Sequence, residues 1–410
     1  MNHAESMGVD LGDPSTFDPA PPHAHWARLR ETSPITRARS SALDCDFWSL
    51  TGWKEIRALL SDNRTFVSHY GVFLGFGPHH PDPAGGRMLG VMDGEPHKAL
   101  RDEVRSIFGA RNIARFDTEL DELFEEHMTP HLDGDAFDFA DEIAWRAPLM
   151  VTCAIMGVPV GDSPMLRDLA NGVLTMQEST GDPIADNSRA SGARIQILSY
   201  FDELAASPAV RRGDNVTARL VSRHDAGRLP YQDLLLNLLS MLVAANETTR
   251  LAMSGAMVAL AEQPEQLELL RRSPSLTGPA VEEVLRWTSP VLNDCRTAES
   301  DTVLAGMPIA AGDVVTAWLP AGNRDPAVFE RPDTFDIARP SRANVTLGYG
   351  PHYCLGAALA RIEIAALLRF LARHVGEVAS AGRPTGTHSH SLWGYAHVPT
   401  RIASLTGAGR

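Results

Sequence analysis

The sequence predicts a mainly α-helical fold with a small β portion, organised around one long central helix. Three observations carry that expectation. Residues Tyr231 to Glu262 hold a single helical pattern that would span roughly 48 Å at about 1.5 Å per residue. Strand-like stretches are few and short, at Phe47 to Leu50 and within Val303 to Val315. Most of the remaining chain carries helical periodicity, and its last strong helical run, Ala357 to Phe370, follows directly on a glycine-rich loop holding Cys354.

In chain order, residues 1–22 form an irregular lead-in, proline-rich from Asp13 to Pro22, and His23 to Thr32 follows as a helix. Two stretches read as loops, Gly71 to Gly90 and Ser179 to Ser191, and loops of that length are often functional lids. In the central helix Leu234, Leu235, Leu236, Leu238, Leu239, Met241, Leu242 and Val243 cover most of the circumference, which marks a helix buried on nearly all sides. Ala244-Ala245-Asn246-Glu247-Thr248-Thr249 then interrupts it. Burying an acid and hydroxyls there is costly unless they are paired or functional; a partly exposed polar patch is the plain alternative. The strands near Val303 are broken by Ala305-Gly306 and Ala311-Gly312-Asp313. No linker, repeat or low-complexity tract divides the chain, so residues 1–410 are expected to form a single domain.

The composition excludes several functional classes. The chain has 410 residues, 44% hydrophobic and 21% charged, ordinary for a globular enzyme with a sizeable core. A formal net charge of −14 argues against a general nucleic-acid binder. Cys45, Cys153, Cys295 and Cys354 are too scattered for a disulfide framework, which points to a reducing cytoplasm. Met1 to Asp13 is polar and acidic, unlike a signal peptide, and no apolar run reaches membrane-spanning length.

Leu347 to Gly356 reads L-G-Y-G-P-H-Y-C-L-G. Cys354 thus stands at the mouth of a helix, where free backbone N–H groups and the positive end of the dipole favour a negative sulfur. Gly348, Gly350 and Gly356 leave room for tight turns or for a flat ligand to approach. A lone cysteine does not make a zinc site, and no Cys-x-x-Cys or His-x-x-x-His stands nearby to complete one. A single axial thiolate suits haem iron, because haem supplies four in-plane ligands. Taken alone, the loop is equally compatible with a buried structural cysteine. The decapeptide closely resembles the haem-binding loop of the cytochrome P450 family, F-G-x-G-x-H-x-C-x-G, with Leu347 in place of phenylalanine.

Three further segments resemble that family's motifs, in its order. Ala244 to Thr249 resembles A-G-x-[DE]-T-[ST], with Ala245 in place of glycine. The resemblance implies that Ala244 gives the haem room, that Thr248 holds an ordered water during dioxygen activation, and that Glu247 passes protons inward from solvent. Asn246 falls on the unspecified position and is expected to face substrate. Glu283-Val284-Leu285-Arg286 resembles E-x-x-R, whose later partner is matched by Arg339 in Phe335-Asp336-Ile337-Ala338-Arg339. These three are expected to form a buried charge network that fixes the fold and takes no part in chemistry. Asp93 to Arg101 resembles D-P-P-x-H-x-x-x-R, with Gly94 and Glu95 in place of the prolines. It implies that His97 and Arg101, four apart on a helix, join Arg296 and His352 in binding the haem propionates. Taken singly, each of these four is as readily a surface charge.

The resemblance therefore implies a soluble, bacterial-type haem-thiolate monooxygenase. Its fold would be the family's single-domain, triangular, mainly helical one, with the central helix crossing haem b, Gly356 beside it and Cys354 as the axial ligand. Electrons are expected from NAD(P)H through a ferredoxin reductase and a ferredoxin, with Lys98, Arg105 and Arg361 as candidate docking charges, and the protein is expected to be a monomer. By family position the substrate side is lined by Phe73, Phe76 and Met88, by Ser240 and Met241, by Val291, Leu292, Asn293 and Asp294, and by Leu392 and Trp393. An apolar wall with a few polar points predicts a mid-sized substrate bearing amide or hydroxyl groups, such as a peptide-derived, aminoacyl or polyketide intermediate of secondary metabolism. Alternatively, Asn293 and Asp294 face the protein and stabilise the turn before Arg296. Two rival functions stand beside hydroxylation or epoxidation: oxidative coupling or another non-hydroxylating oxidation of a peptide- or amino-acid-derived substrate, and a non-catalytic haem sensor.

Overall fold

A computed structural model describes residues 9–174, 183–340 and 343–405. The fold is mainly helical with small sheets, and its contacts gather it into two compact units.

The first unit takes residues up to 99, 282–354 and 386–394. Its sheet runs in the order Ile35–Ser40, Cys45–Leu50, Val314–Trp318, Asn293–Ala298, Phe66–Val67. Ile35 faces Leu50 in an antiparallel hairpin, and Trp48 lies beside Val315 in the one parallel pairing of this sheet. Leu50, Val315 and Ala317 close a core with Ile56, Leu59 and Leu60 of the helix Trp53–Ser61. The region from Val303 to Val315 resolves into a small hairpin, Thr302–Leu304 with Met307–Ile309, and the start of the strand Val314–Trp318. Ala305 and Gly306 turn that hairpin with positive φ of 48° and 85°. The lead-in is less irregular than expected. It carries a 3-10 turn, Pro14–Phe17, capped by the Asp13 carboxylate, which accepts the Ser15 N–H at 2.8 Å. Phe17 is wholly buried against Trp26 of the helix His23–Thr32 and against Trp318.

The second unit takes residues 100–281, 355–385 and 395 onward. Its centre is the helix Tyr231–Glu262, packed by Arg146–Met156, Ser163–Leu174, Pro183–Ala206 and Ala357–His374. A three-stranded antiparallel sheet, Phe137–Asp138, Pro399–Ser404 and Val375–Ser380, completes the unit. The leucine-rich half of the central helix is not buried all round: Leu234, Leu238 and Leu242 are, whereas Leu235, Leu236, Met241 and Val243 are half-buried. Complete burial belongs to its second half, Thr249 to Leu260, where Ala252, Ser254, Gly255, Ala256 and Ala259 are small enough for neighbours to close over every face. The expected loop from Ser179 to Ser191 is corrected where it is described: residues 183–191 begin the helix Pro183–Ala206, and residues 179–182 lie outside the described residues. A stripe of Ala190, Ala193, Ile197, Phe201 and Leu204 at helical spacing buries that helix despite its glycine, serine and aspartate. Among the described residues no helix is long and apolar enough to cross a membrane.

Candidate active site

The cysteine loop is built by local hydrogen bonds. The Cys354 N–H donates to the Leu347 carbonyl at 2.9 Å, and the Gly348 N–H to Val345 at 2.9 Å. Gly348 and Gly350 both take φ of 71°, the left-handed region that favours glycine. A Cβ on Gly350 would lie 2.4 Å from the Leu60 carbonyl oxygen, so only glycine lets the loop rest against the helix Trp53–Ser61. From that helix, the Arg57 guanidinium stacks on the rings of Trp53 (4.4 Å) and Tyr349 (3.9 Å).

His97 and His352 meet in the same unit, with ring centroids 4.1 Å apart and an interplanar angle of 27°. His352 Nε2 lies 3.4 Å from Ser68 Oγ and 3.5 Å from a carboxylate oxygen of Asp93. Asp93 also accepts the N–H groups of Ser68 and His69 at 2.8 and 2.9 Å. Burial alone would push its carboxyl up, but the His352 and backbone bonds outweigh that and hold it below the usual carboxylate range. Arg296 is buried, paired with Asp294, and donates to the Cys295 carbonyl at 2.7 Å. Glu283, Arg286 and Arg339 form one buried network.

In the second unit one face of the central helix is open. Ala244 is exposed, and Ser240, Met241 and Thr248, each three or four residues from it, are half-buried. Thr248 Oγ1 donates to the Ala244 carbonyl at 3.0 Å, the back-bond that hydroxyls make inside helices. Asn246, Glu247, Thr249 and Arg250 are buried on the other faces, so the polar interruption is not a surface patch. Asn246, two residues from Ala244 and 1% exposed, lies away from the open face, which corrects the expectation that it meets substrate. Glu247 accepts from Arg250 Nε at 3.0 Å, and Arg250 reaches on to the Ala396 carbonyl at 3.4 Å. Arg101 and Gly356 belong to this unit too, and a Cβ on Gly356 would meet nothing within 4 Å.

Of the expected substrate residues, Phe73, Phe76, Met88 and Val291 are half-buried. Leu292 is wholly buried, and Leu392 and Trp393 are nearly so. Asn293 is corrected: its amide accepts the Leu74 N–H at 3.0 Å and donates to the His390 carbonyl at 2.8 Å, so both ends bind the protein. Asp294 is likewise engaged by Arg296. Both therefore take the protein-facing arrangement.

Sequence reasoning missed Arg250, His390 and Glu363, and gave Asp93 a place in a motif but no role of its own. Arg250 had a signal, its i,i+3 spacing from Glu247; Glu363 had another, a lone acid inside the apolar run Ala357 to Phe370. Glu363 is 3% exposed, and burial pushes its carboxyl up to about 8 against the hydrogen bond with Thr249. A carboxyl raised on folding contributes stability that is fully present below its unfolded value, about 4.3, and is lost as pH rises through the folded value. Thermal melting should therefore fall between about pH 5 and about pH 9. Glu363→Gln, neutral throughout, should flatten the profile and gain on the order of 5 kcal/mol at the alkaline end, read by melting the holoprotein across that range.

The cytochrome P450 family profile matches residues 275–375. Cytochrome P450 NovI of Streptomyces niveus is 30% identical over 406 residues, covering 98% of each chain. Nocardicin C N-oxygenase of Nocardia uniformis subsp. tsuyamanensis is 30% identical over 381 residues, covering 92% of this chain and 93% of its own. The crystal structure of P450 OxyD, involved in the biosynthesis of vancomycin-type antibiotics, superposes with a TM-score of 0.88 at 36% identity, over 97% of this chain and 100% of that one. The fold and the cysteine loop thus define a P450-type oxidoreductase. The chain belongs to the cytochrome P450 family and is a monooxygenase of that family with relatives in secondary metabolism.

The family implies haem, and the residues present fit it. Among the described residues no three His, Cys, Asp or Glu side chains gather as a metal centre, so a metal on Cys354 needs a ligand set such as a porphyrin. The buried His97 and Arg296 and the half-buried His352 supply basic groups for two carboxylates.

Proposed function

We propose that the whole chain works as one monomeric haem domain that hydroxylates an amino-acid- or peptide-derived intermediate of secondary metabolism. The observation that carries this is the company the chain keeps over nearly its full length: OxyD, from vancomycin-type antibiotic biosynthesis, and a nocardicin C oxygenase. Haem b, when bound, supplies dioxygen activation, assisted by electron donation from the Cys354 thiolate. The electrons come from NAD(P)H through a ferredoxin reductase and a ferredoxin. His97, Arg101, Arg296 and His352 bind the propionates; this requires Arg296 to exchange its bond with Asp294 for a propionate oxygen or to share it. Ser240, Met241, Phe73, Phe76 and Val291 border the substrate. Asn293 and Asp294 are engaged in the protein and are not offered to substrate.

Thr248 orders the water that delivers protons. Its own hydroxyl hydrogen goes to the Ala244 carbonyl, so Oγ1 keeps its lone pairs to accept from that water. Glu247 relays protons inward once its carboxylate swings off Arg250, its i+3 partner on the same helix.

Thr248→Ala should leave haem loading and the substrate-induced spin shift unchanged, while product formed per NAD(P)H consumed falls roughly 100-fold, the lower end of what a lost acid–base group costs. Unchanged coupling would remove Thr248 from proton delivery. Mass spectrometry of the product decides the reaction: one added oxygen supports hydroxylation, loss of two hydrogens supports oxidative coupling, and no turnover with any electron donor supports a haem sensor.

A further inference from the structure

The structure assigns Asn293 and His390 a positioning role: we propose that the two side chains clamp the backbone of Leu74 and so fix the start of the 71–90 loop as a rigid wall of the substrate entrance. Leu74 is 3% exposed and both of its backbone polar groups are taken by side chains from distant segments. Its N–H donates to Asn293 Oδ1 at 3.0 Å, and its carbonyl lies 3.2 Å from His390 Nε2. A carbonyl only accepts, so Nε2 carries the hydrogen, and that fixes the tautomer. Asn293 Nδ2 then donates to the His390 carbonyl at 2.8 Å, closing a ring of three bonds.

The ring does not stand alone. The Cys295 N–H donates to the Val72 carbonyl at 2.7 Å, which ties the loop to the strand Asn293–Ala298 two residues earlier. Leu292 donates to Ser391 at 2.9 Å and Trp393 to Pro290 at 2.8 Å, so 290–293 and 390–393 run together as a ladder. Gly71, at φ of 126°, lets the chain fold back on itself; a Cβ there would lie 2.3 Å from the Phe76 side chain. Three segments expected at the substrate side are thereby joined through one asparagine amide. Adjustment to a ligand then falls on residues after Gly77, of which His79, His80 and Pro81 are exposed. Neither Asn293 nor His390 touches the reacting atoms in this role. They act through the loop, and the assignment of that loop to the substrate side rests on the function proposed above.

The test uses holoprotein carrying Asn293→Leu, His390→Phe or His390→Gln. Two readouts are taken: amide hydrogen exchange across residues 72–76, and the rate at which 4-phenylimidazole reaches the iron, followed by the Soret shift, with carbon monoxide as a small control. Asn293→Leu and His390→Phe should speed exchange and azole entry about 10-fold or more, as expected for releasing a locally protected segment, and leave carbon monoxide entry unchanged. His390→Gln keeps a donor for the Leu74 carbonyl and should restore both. Unchanged exchange would overturn the clamp, and faster exchange with unchanged azole entry would overturn its role at the entrance. A parent protein that takes no azole at all would count against the haem reading, and exchange would still decide the clamp.

Discussion

Glu283→Ala is expected to cost about 3–5 kcal/mol and to abolish stable haem loading, because it strands two buried guanidinium groups at once. The Glu283 carboxylate is saturated. One oxygen accepts from Arg286 Nε at 2.7 Å and Arg339 Nε at 3.0 Å; the other accepts from Arg286 Nη2 and from the Asp336 N–H, both at 2.8 Å. Arg286 commits its remaining donors to the carbonyls of Asn323, Pro332 and Thr334 at 2.8–3.0 Å. This network therefore pins the segment from Asn323 to Arg339 through its backbone. The measurements are chemical denaturation and haem content after purification. Full haem loading with an unchanged denaturation midpoint would mean the network contributes nothing. Arg331, whose pair with Asp336 is solvent-exposed, provides the contrast: Arg331→Ala should cost less than about 1 kcal/mol.

Cys354→Ser should eliminate the strongly red-shifted Soret band that a thiolate gives the reduced carbon monoxide complex. A serine hydroxyl does not ionise under these conditions, so the substitution removes the anionic donor while keeping the side chain's size. The other cysteines offer no substitute. Burial pushes Cys153 and Cys295 each up to about 12, and Cys45 is raised as well, by burial first and then by Asp10. Persistence of the band in Cys354→Ser would transfer the ligand role to one of these three. Its loss there, with each of the other single cysteine variants retaining it, fixes the assignment.

The parts of the site written in short local patterns were legible in the sequence. The cysteine loop depends on left-handed glycines and on a helix start, both visible within ten residues. Glu283 and Arg286 sit one helical turn apart, and the central helix has the bounds its pattern predicts. What was not legible depends on partners remote in the chain. Asn293 resembles a ligand anchor until residues 74 and 390 occupy its amide. Leu292 looks like pocket wall but is wholly buried, since the sequence does not announce which remote segments close over a residue. The helix Pro183–Ala206 hid for a different reason: its buried stripe is partly alanine, and the intervening glycine, serine and aspartate suggest a loop.

The first unit is stitched from three lengths of chain, ending at residues 99, 354 and 394. The Trp53 indole donates to the Ala343 carbonyl at 2.6 Å across 290 residues, and His390 reaches Leu74 across 316. Contacts of such separation carry the full entropy of closing very long loops, so they form late. On the ribosome, the helix that supports the cysteine loop emerges long before the loop, and the His390 tie comes last of all. Completion of this unit is therefore a late event of folding, available only once residue 394 has been made.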